Sequence, residues 1–301
     1  MPLKSALHVD KLLSNVSVQY KNEEYVWNQL FPTVMVQKDT DLFRVYDRNF
    51  KIPETVIADG GVAREHNFEF SNSSYALEKH GLKDYVSDES EEQNDQGSLK
   101  ADTVENLTDA IYRRMEYACS RLFTTTNWSL NLSLAANNTW ADNTVATDPV
   151  RIMDTAASTI IANSGKTPNF GFIPRDGFVA VKNHQSVLDR VKYTNDKVTK
   201  VMLASLFELP ELIIPQSVYD TAAKGVTPSM TNFFGDCAFV GWKPSSPGLK
   251  TPSCGYTFMG AMPRVRTWVD EERESTGIQV KVKYQFKVVA SLTGYLINNV
   301  Y

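Results

Sequence analysis

The sequence predicts a mixed α+β chain, and three observations carry that reading. Residues 278–288 alternate apolar and polar side chains without error, as a strand with one dry and one wet face does. Apolar residues recur at steps of three and four from Val104 to Leu122, which places them on one face of a helix. Between 149 and 214 short helix and strand patterns alternate, as in a compact mixed domain.

Composition narrows the function classes. The 301 residues set a prior of about two domains. Thirty-one basic against 35 acidic residues leave a net charge of −4, which excludes a globally basic nucleic-acid binder but not a local basic patch. No apolar run approaches the roughly 18 residues of a membrane helix. The start, MPLKSALHVDKLLSN, lacks the apolar stretch of a signal peptide. Cys119, Cys237 and Cys254 are odd in number and widely spaced, which suits a reducing compartment rather than a disulfide framework.

Residues 1–41 read as an irregular arm. Its short apolar clusters (Leu12, Leu13; Val34, Met35, Val36) keep no helical period, and Phe31-Pro32 stops any helix begun at Asn22. Residues 42–71 read as a long hairpin. Leu42 to Ile52 are rich in β-branched and aromatic residues, and His66, Phe68 and Phe70 alternate with Asn67 and Glu69 on the return. The tip, PETVIADGGVA, has the permissive Asp59-Gly60-Gly61 for a turn and too few large apolar residues for a core of its own. A loop of that kind is functional or ordered by a partner.

Residues 84–98 are acidic and read as a solvated helix or loop, because they lack the Asp-x-Asx-x-Asx-Gly spacing of a calcium loop. From Asp102 to Phe123 the stripe Val104, Leu107, Ile111, Met115, Ala118 and Leu122 predicts a helix near 30 Å long at about 1.5 Å per residue. It packs on a sheet and carries Arg113, Arg114 and Glu116 on its other face. A second helix starts at Asp148-Pro149, an N-cap followed by a first-turn proline, buries Val150, Met153, Ala157 and Ile160/Ile161, and stops at Gly165. Phe170–Ile173 and Leu212–Ile214 read as short strands, with short helices at 176–183, 185–191 and 199–207. A Pro/Gly/Ser loop at 243–255 precedes the long strand 277–289, whose wet face carries Lys281, Lys283 and Lys287. That face is either simply solvated or meets something anionic.

No chemistry stands out. Ser164-Gly165-Lys166-Thr167 has the Gly-Lys-Thr of a phosphate loop, but Ile160 replaces the required earlier glycine and Pro168 follows at once, so it reads as a helix terminus. There is no Gly-x-Ser-x-Gly, His-Glu-x-x-His or Cys-x-x-Cys. His8, His66, His80 and His184 form no ligand-like pair. No catalytic, cofactor-binding or metal-ligating residue and no cofactor is expected, and the chain is not expected to be an enzyme. Projecting elements that cannot be stable alone point instead to assembly on neighbouring copies.

The order of elements resembles the major capsid proteins of tailed bacteriophages, with the Hong Kong 97 fold. Local wording is similar too: LSNVSVQY (13–20), LFPTVMV (30–36), Trp140-Ala141-Asp142 before Asp148-Pro149, GKTPN (165–169), HQSVLDRVKYT (184–194) and PSCGYTF (252–258). The resemblance implies an N-terminal arm (1–41) and an extended hairpin loop (42–71) that lies across an adjacent subunit. It implies a peripheral domain in two parts (72–127, with a spine helix at 102–123, and 263–301, with the strand 277–289), around an axial domain (128–262). Hexamers and pentamers of such a chain would close into an icosahedral shell around double-stranded DNA. The contact with DNA would be weak and non-specific, and no membrane would be involved. The shell would assemble in the host bacterial cytoplasm and reside in the virion. A portal protein, a scaffolding protein and a decoration protein are the further partners. Members with a fused scaffold carry a charged helical extension before the arm that this sequence does not show, so either a protease removes it or a separate scaffold exists, and Met1 at the start favours the second. No lysine–asparagine pair matches the crosslinking chemistry of some relatives. Two rivals are an encapsulin-like compartment of the same fold, loading enzyme cargo, and a soluble enzyme with a site assembled from distant residues.

Overall fold

The computed structural model describes residues 25–46, 52–57, 59–62, 65, 70–94, 97–135, 138–142, 147–192, 197–223, 225–248 and 251–301. The alternating C-terminal segment forms strand β12 (Ser275–Val288) and pairs along its whole length with β11 (Gly255–Asp270). Together with β1 (Thr33–Met35) and β4 (Glu78–Ser87) they make a four-stranded sheet in the order β1-β11-β12-β4. Ile278, Val280, Val282, Tyr284 and Phe286 are buried on the dry face, as the alternation requires. Each such burial contributes roughly 1.5–3 kcal/mol.

The predicted long helix lies across that face, in contact with β12 and β4. It is α3 (Leu99–Ser120), preceded by α1 (Trp27–Leu30) and α2 (Asp88–Glu92). It starts three residues earlier than periodicity suggested, because the Ser98 side chain caps it by accepting from the Ala101 amide. Ile111, Met115 and Cys119 fill the core between helix and sheet. Glu116 departs from expectation. It is not on the solvent face but fully buried, for a reason given below.

A second, five-stranded sheet has the order β5-β13-β10-β6-β7. Its strands are β5 (Leu130–Ser133), β6 (Phe170–Phe172), β7 (Glu211–Ile213), β10 (Ala238–Gly241) and β13 (Gly294–Asn298). Helix α4 (Pro149–Ser164) packs on it, with α5 (Arg175–Asn183), α6 (Gln185–Val191) and α7 (Lys200–Leu206) alongside. Asp148 caps α4 by accepting from Val150 N at 3.0 Å, and Pro149 fills the first turn. Gly165 ends it with φ 63°, a left-handed conformation that favours glycine, and donates to Ile161 O. The buried face is Val150, Ile152, Met153, Ala156 and Ile160, so Ala157 and Ile161 sit further round than expected, with Ile161 exposed. A two-stranded ribbon, β8 (Val218–Asp220) with β9 (Met230–Asn232), pairs with neither sheet, and its Tyr219 packs against Tyr117 of α3.

Two features depart from the boundaries read off the sequence. Strand β11 runs on through residue 262, although its register with β12 shifts between Met259 and Arg264, so that position lies within a strand. Strand β13 sits between β5 and β10, so the chain ends in the second sheet rather than the first.

The described part of the arm is not free. Val26, Leu30 and Phe31 are buried in the core of the first sheet, and β1 runs parallel to β11. The remainder of the arm motif, including Leu12, Leu13 and 13–20, lies outside the described residues. The hairpin pairs at its base, with β2 (Thr40–Tyr46) antiparallel to β3 (Phe70–Ala76), so the return strand continues past the expected residue 71 and Ile52 lies outside any strand. His66 and Phe68 lie outside the described residues. The acidic stretch splits between the end of β4 and α2, which buries no residue.

Candidate assembly surfaces

Three places could anchor contacts between copies: the root of the arm, the hairpin, and the wet face of the first sheet. The root is held by Glu116. Its Oε1 and Oε2 each accept from Val26 N at 3.1 Å, Oε2 accepts from Trp27 N at 2.9 Å, and Oε1 accepts from Ser217 Oγ at 3.0 Å. The start of the short α1 offers backbone N–H groups without helical partners, and a carboxylate satisfies them. Around it Tyr25 Oη donates to Asp109 Oδ1 at 2.9 Å, and Thr257 Oγ1 to Phe31 O at 2.9 Å. Lys243 Nζ donates to Gln29 O at 2.7 Å while pairing with Glu211 at 2.6 Å. The arm root is thereby bolted to both sheets. Only the place of Glu116 beside Met115 and Cys119, inside the buried half of α3, could have hinted at this role.

The hairpin base stacks on the wet face of the first sheet. Tyr75 stacks on Phe258 with centroids 4.8 Å apart, and Phe43 lies 5.6 Å from the same ring. Ala76 N donates to Gln285 Oε1 at 2.8 Å, Lys283 Nζ meets Asp39 Oδ2 at 2.5 Å, and Lys287 Nζ donates to Ser74 O. That end of the basic face is thus neither bare nor awaiting an anion. Further along, the register sets Lys281 beside Arg264 and Lys283 beside Lys79. The hairpin tip touches no core: Ile52 is 96% exposed, Val62 92% and Val56 79%.

The residues tested for chemistry are placed as follows. Lys166, from the Gly-Lys-Thr sequence, lies 5.0 Å over the Trp242 ring just past the end of α4. All three cysteines are buried with free thiols, and burial pushes Cys237 and Cys254 up to about 12. A buried neutral thiol is a poor nucleophile. His80 stacks on Tyr284 at 4.4 Å in the first sheet. His184 lies between α5 and α6, and His8 and His66 lie outside the described residues.

His184 resembles part of a catalytic array but is wired differently. Ser186 N donates to Nδ1 at 3.2 Å, Nε2 lies 3.3 Å from Thr147 Oγ1, and Ser186 Oγ donates to Asp148 Oδ1 at 2.9 Å. The carboxylate holds the serine rather than the imidazole, and the ring is 1% exposed, so no substrate reaches it. Burial lowers the pKa of His184 and of His80. The unfolded chain therefore binds protons more readily than the folded one below about 6.5. The stabilisation is complete above that pH and declines as pH falls towards the folded values. We expect the melting temperature to fall as pH drops below about 6.5, and the fall to shrink in His184→Gln. An equal drop in the variant would exclude His184.

Among the described residues no three His, Cys, Asp or Glu side chains gather as a metal site, and no helix is long and apolar enough to cross a membrane.

No protein-family model matches the chain. The major capsid protein of Burkholderia phage BcepMu is 25% identical over 220 residues, covering 70% of each sequence. Among solved structures, a phage-related protein from Bordetella bronchiseptica RB50 superposes with a TM-score of 0.74 at 22% identity, covering 97% of each chain. The capsid structure of cyanophage P-SCSP1u gives 0.64 at 10% identity, covering 93% of this chain and 90% of that one. In sequence the chain is similar to phage major capsid proteins, and in fold it matches solved phage capsids of the Hong Kong 97 type.

Proposed function

We propose that copies of this chain form hexamers and pentamers that close into an icosahedral shell around phage double-stranded DNA. The single observation that carries this reading is the hairpin. Its base is locked to the body through Phe43, Tyr75 and Phe258, while its tip presents β-branched side chains to solvent. A lone subunit gains nothing from such a limb, and a neighbour that covers it does. In this reading the first sheet with α3 is the peripheral unit and α3 its spine. The second sheet is the axial unit, and β13 groups with it.

Closed shells need contacts weak enough to correct and numerous enough to last. A contact of about 6–8 kcal/mol is micromolar or weaker, and many together hold a particle. The net charge of −4 suits a shell that confines DNA without gripping its phosphates, so any contact is weak and salt-sensitive. A separate scaffold, a portal and a decoration protein complete the particle, which assembles in the host cytoplasm and persists in the virion. The test is the content of native particles. Nuclease-protected double-stranded DNA is the expected result, and particles filled with a host enzyme and no DNA would overturn it in favour of a cargo compartment.

A further inference from the structure

Helix α3 and the residue that ends it hold two cations with no counter-charge. Arg114 and Arg121 are exposed, and both guanidiniums lie against one ring: the Cζ of Arg114 is 5.3 Å from the Tyr117 centroid and that of Arg121 is 4.7 Å from it. An aromatic face attracts a guanidinium and limits where it can go. Tyr117 is itself braced, because Tyr219 of the β8–β9 ribbon meets it edge-on at 5.6 Å. No carboxylate stands three or four residues from either arginine along the chain. Asp109 is taken by Arg113 and Tyr25, and Glu116 is turned into the core. Among the described residues no carboxylate lies within ion-pair distance of either guanidinium. The helix dipole accounts for Arg121 at most, since its effect fades within the last turn and Arg114 lies before that turn.

We infer that Arg114 and Arg121 meet the phosphates of the duplex DNA that the shell encloses, an inference that rests on the shell reading and gives its weak DNA contact a place. A guanidinium donates two parallel N–H groups to a phosphate, a fit that a lysine ammonium lacks. Both arginines share one ring, so they stand at most about 10 Å apart, within the run of phosphates on one strand, which carries a charge every 3.4 Å or so of duplex axis. A protein partner fits less well. Among the described residues the exposed large apolar side chains lie elsewhere and none is on α3, so this face lacks the apolar centre of a protein–protein contact. The side is also open in the assembly proposed above: α3 covers the dry face of the first sheet, whereas the hairpin base sits on the wet face. Two phosphates per copy, with no base touched, make a contact without sequence preference.

The unaltered full chain tests this with a duplex of about 30 base pairs as the probe. Phenylglyoxal modifies accessible guanidiniums, and mass spectrometry reads each arginine. At about 50 mM salt the duplex is expected to lower modification of Arg114 and Arg121 at least about threefold, to leave the exposed Arg151 and Arg175 reactive, and to lose its effect at about 500 mM. Equal modification with and without DNA, equal protection of Arg151 and Arg175, or equal protection by poly-glutamate in place of DNA would overturn the inference. In a second arm, R114Q/R121Q is expected to keep its melting temperature and bind the duplex at least about fivefold more weakly, with a salt dependence shallower by about 1.8 in log–log slope per bound copy. K192Q/K197Q removes the same charge from another exposed site and is expected to bind as the unaltered chain does. Unchanged binding by R114Q/R121Q, or an equal loss in K192Q/K197Q, would also overturn it. DNA-filled native particles whose Arg114 and Arg121 stay fully reactive would sink this contact and leave the shell reading intact, whereas particles without DNA would remove both.

Discussion

Replacing residues 53–63 by a short Gly-Ser turn leaves the subunit folded and abolishes shells. Every described residue in that span is exposed, so its removal takes no side chain from any of the three buried clusters. The hairpin base survives because Phe43 and Tyr75 still stack on Phe258 and Ala76 N still reaches Gln285. Shortening the loop also slightly lowers its closure entropy. The stability change is therefore expected within about 0.5 kcal/mol, as for surface changes generally. Assembly, in contrast, loses the apolar contact of Val56 and its neighbours at every copy of the interface. Because each particle repeats that contact many times, even a modest loss per contact is multiplied past recovery. Circular dichroism with negative-stain microscopy reads both effects, and normal shells from the variant would remove the hairpin from the account.

Glu116→Ala costs about 3 kcal/mol or more. It strands Val26 N, Trp27 N and Ser217 Oγ in a buried site, and an unmade hydrogen bond there costs about 1–3 kcal/mol for each group. Removing a buried carboxylate also relieves its own desolvation, which offsets part of this loss. The stranded donors outweigh that relief because there are several of them and nothing in the substitution accepts their protons. Glu116→Gln keeps one carbonyl oxygen and so loses less than Glu116→Ala. Urea unfolding measures the difference, and limited proteolysis should show cleavage near Val26 appearing only in the alanine variant. A loss below about 0.5 kcal/mol would mean the arm root is held by apolar burial alone.

Much of the fold was legible because some elements carry local signals that agree with their tertiary role. The alternation in β12 and the Asp148-Pro149 to Gly165 punctuation of α4 needed no knowledge of partners, and the structure matches them within a few residues. Strand β11 was not legible. Its first five residues are buried on both faces, Gly260 and Pro263 interrupt it, and its second half has exposed residues on both faces, so no period of two survives. Strand β13 and the root of the arm are defined by distant pairings, β13 with β5 and β10 and β1 with β11, which composition cannot announce. Glu116 was misplaced because charge was taken to mark the wet side of α3, whereas here the charge faces the orphan amides of another segment. The hairpin could be recognised for the opposite reason: its tip lacks a core of its own, and that deficit is visible in the residues themselves.

Electron microscopy of the purified full chain, concentrated alone and with a scaffolding partner, tests the central claim most directly. The account predicts closed icosahedral particles made of six-fold and five-fold clusters, with the tip at 52–62 resting on the next subunit. A folded chain that stays monomeric under every condition, its tip packed against its own body, would contradict it.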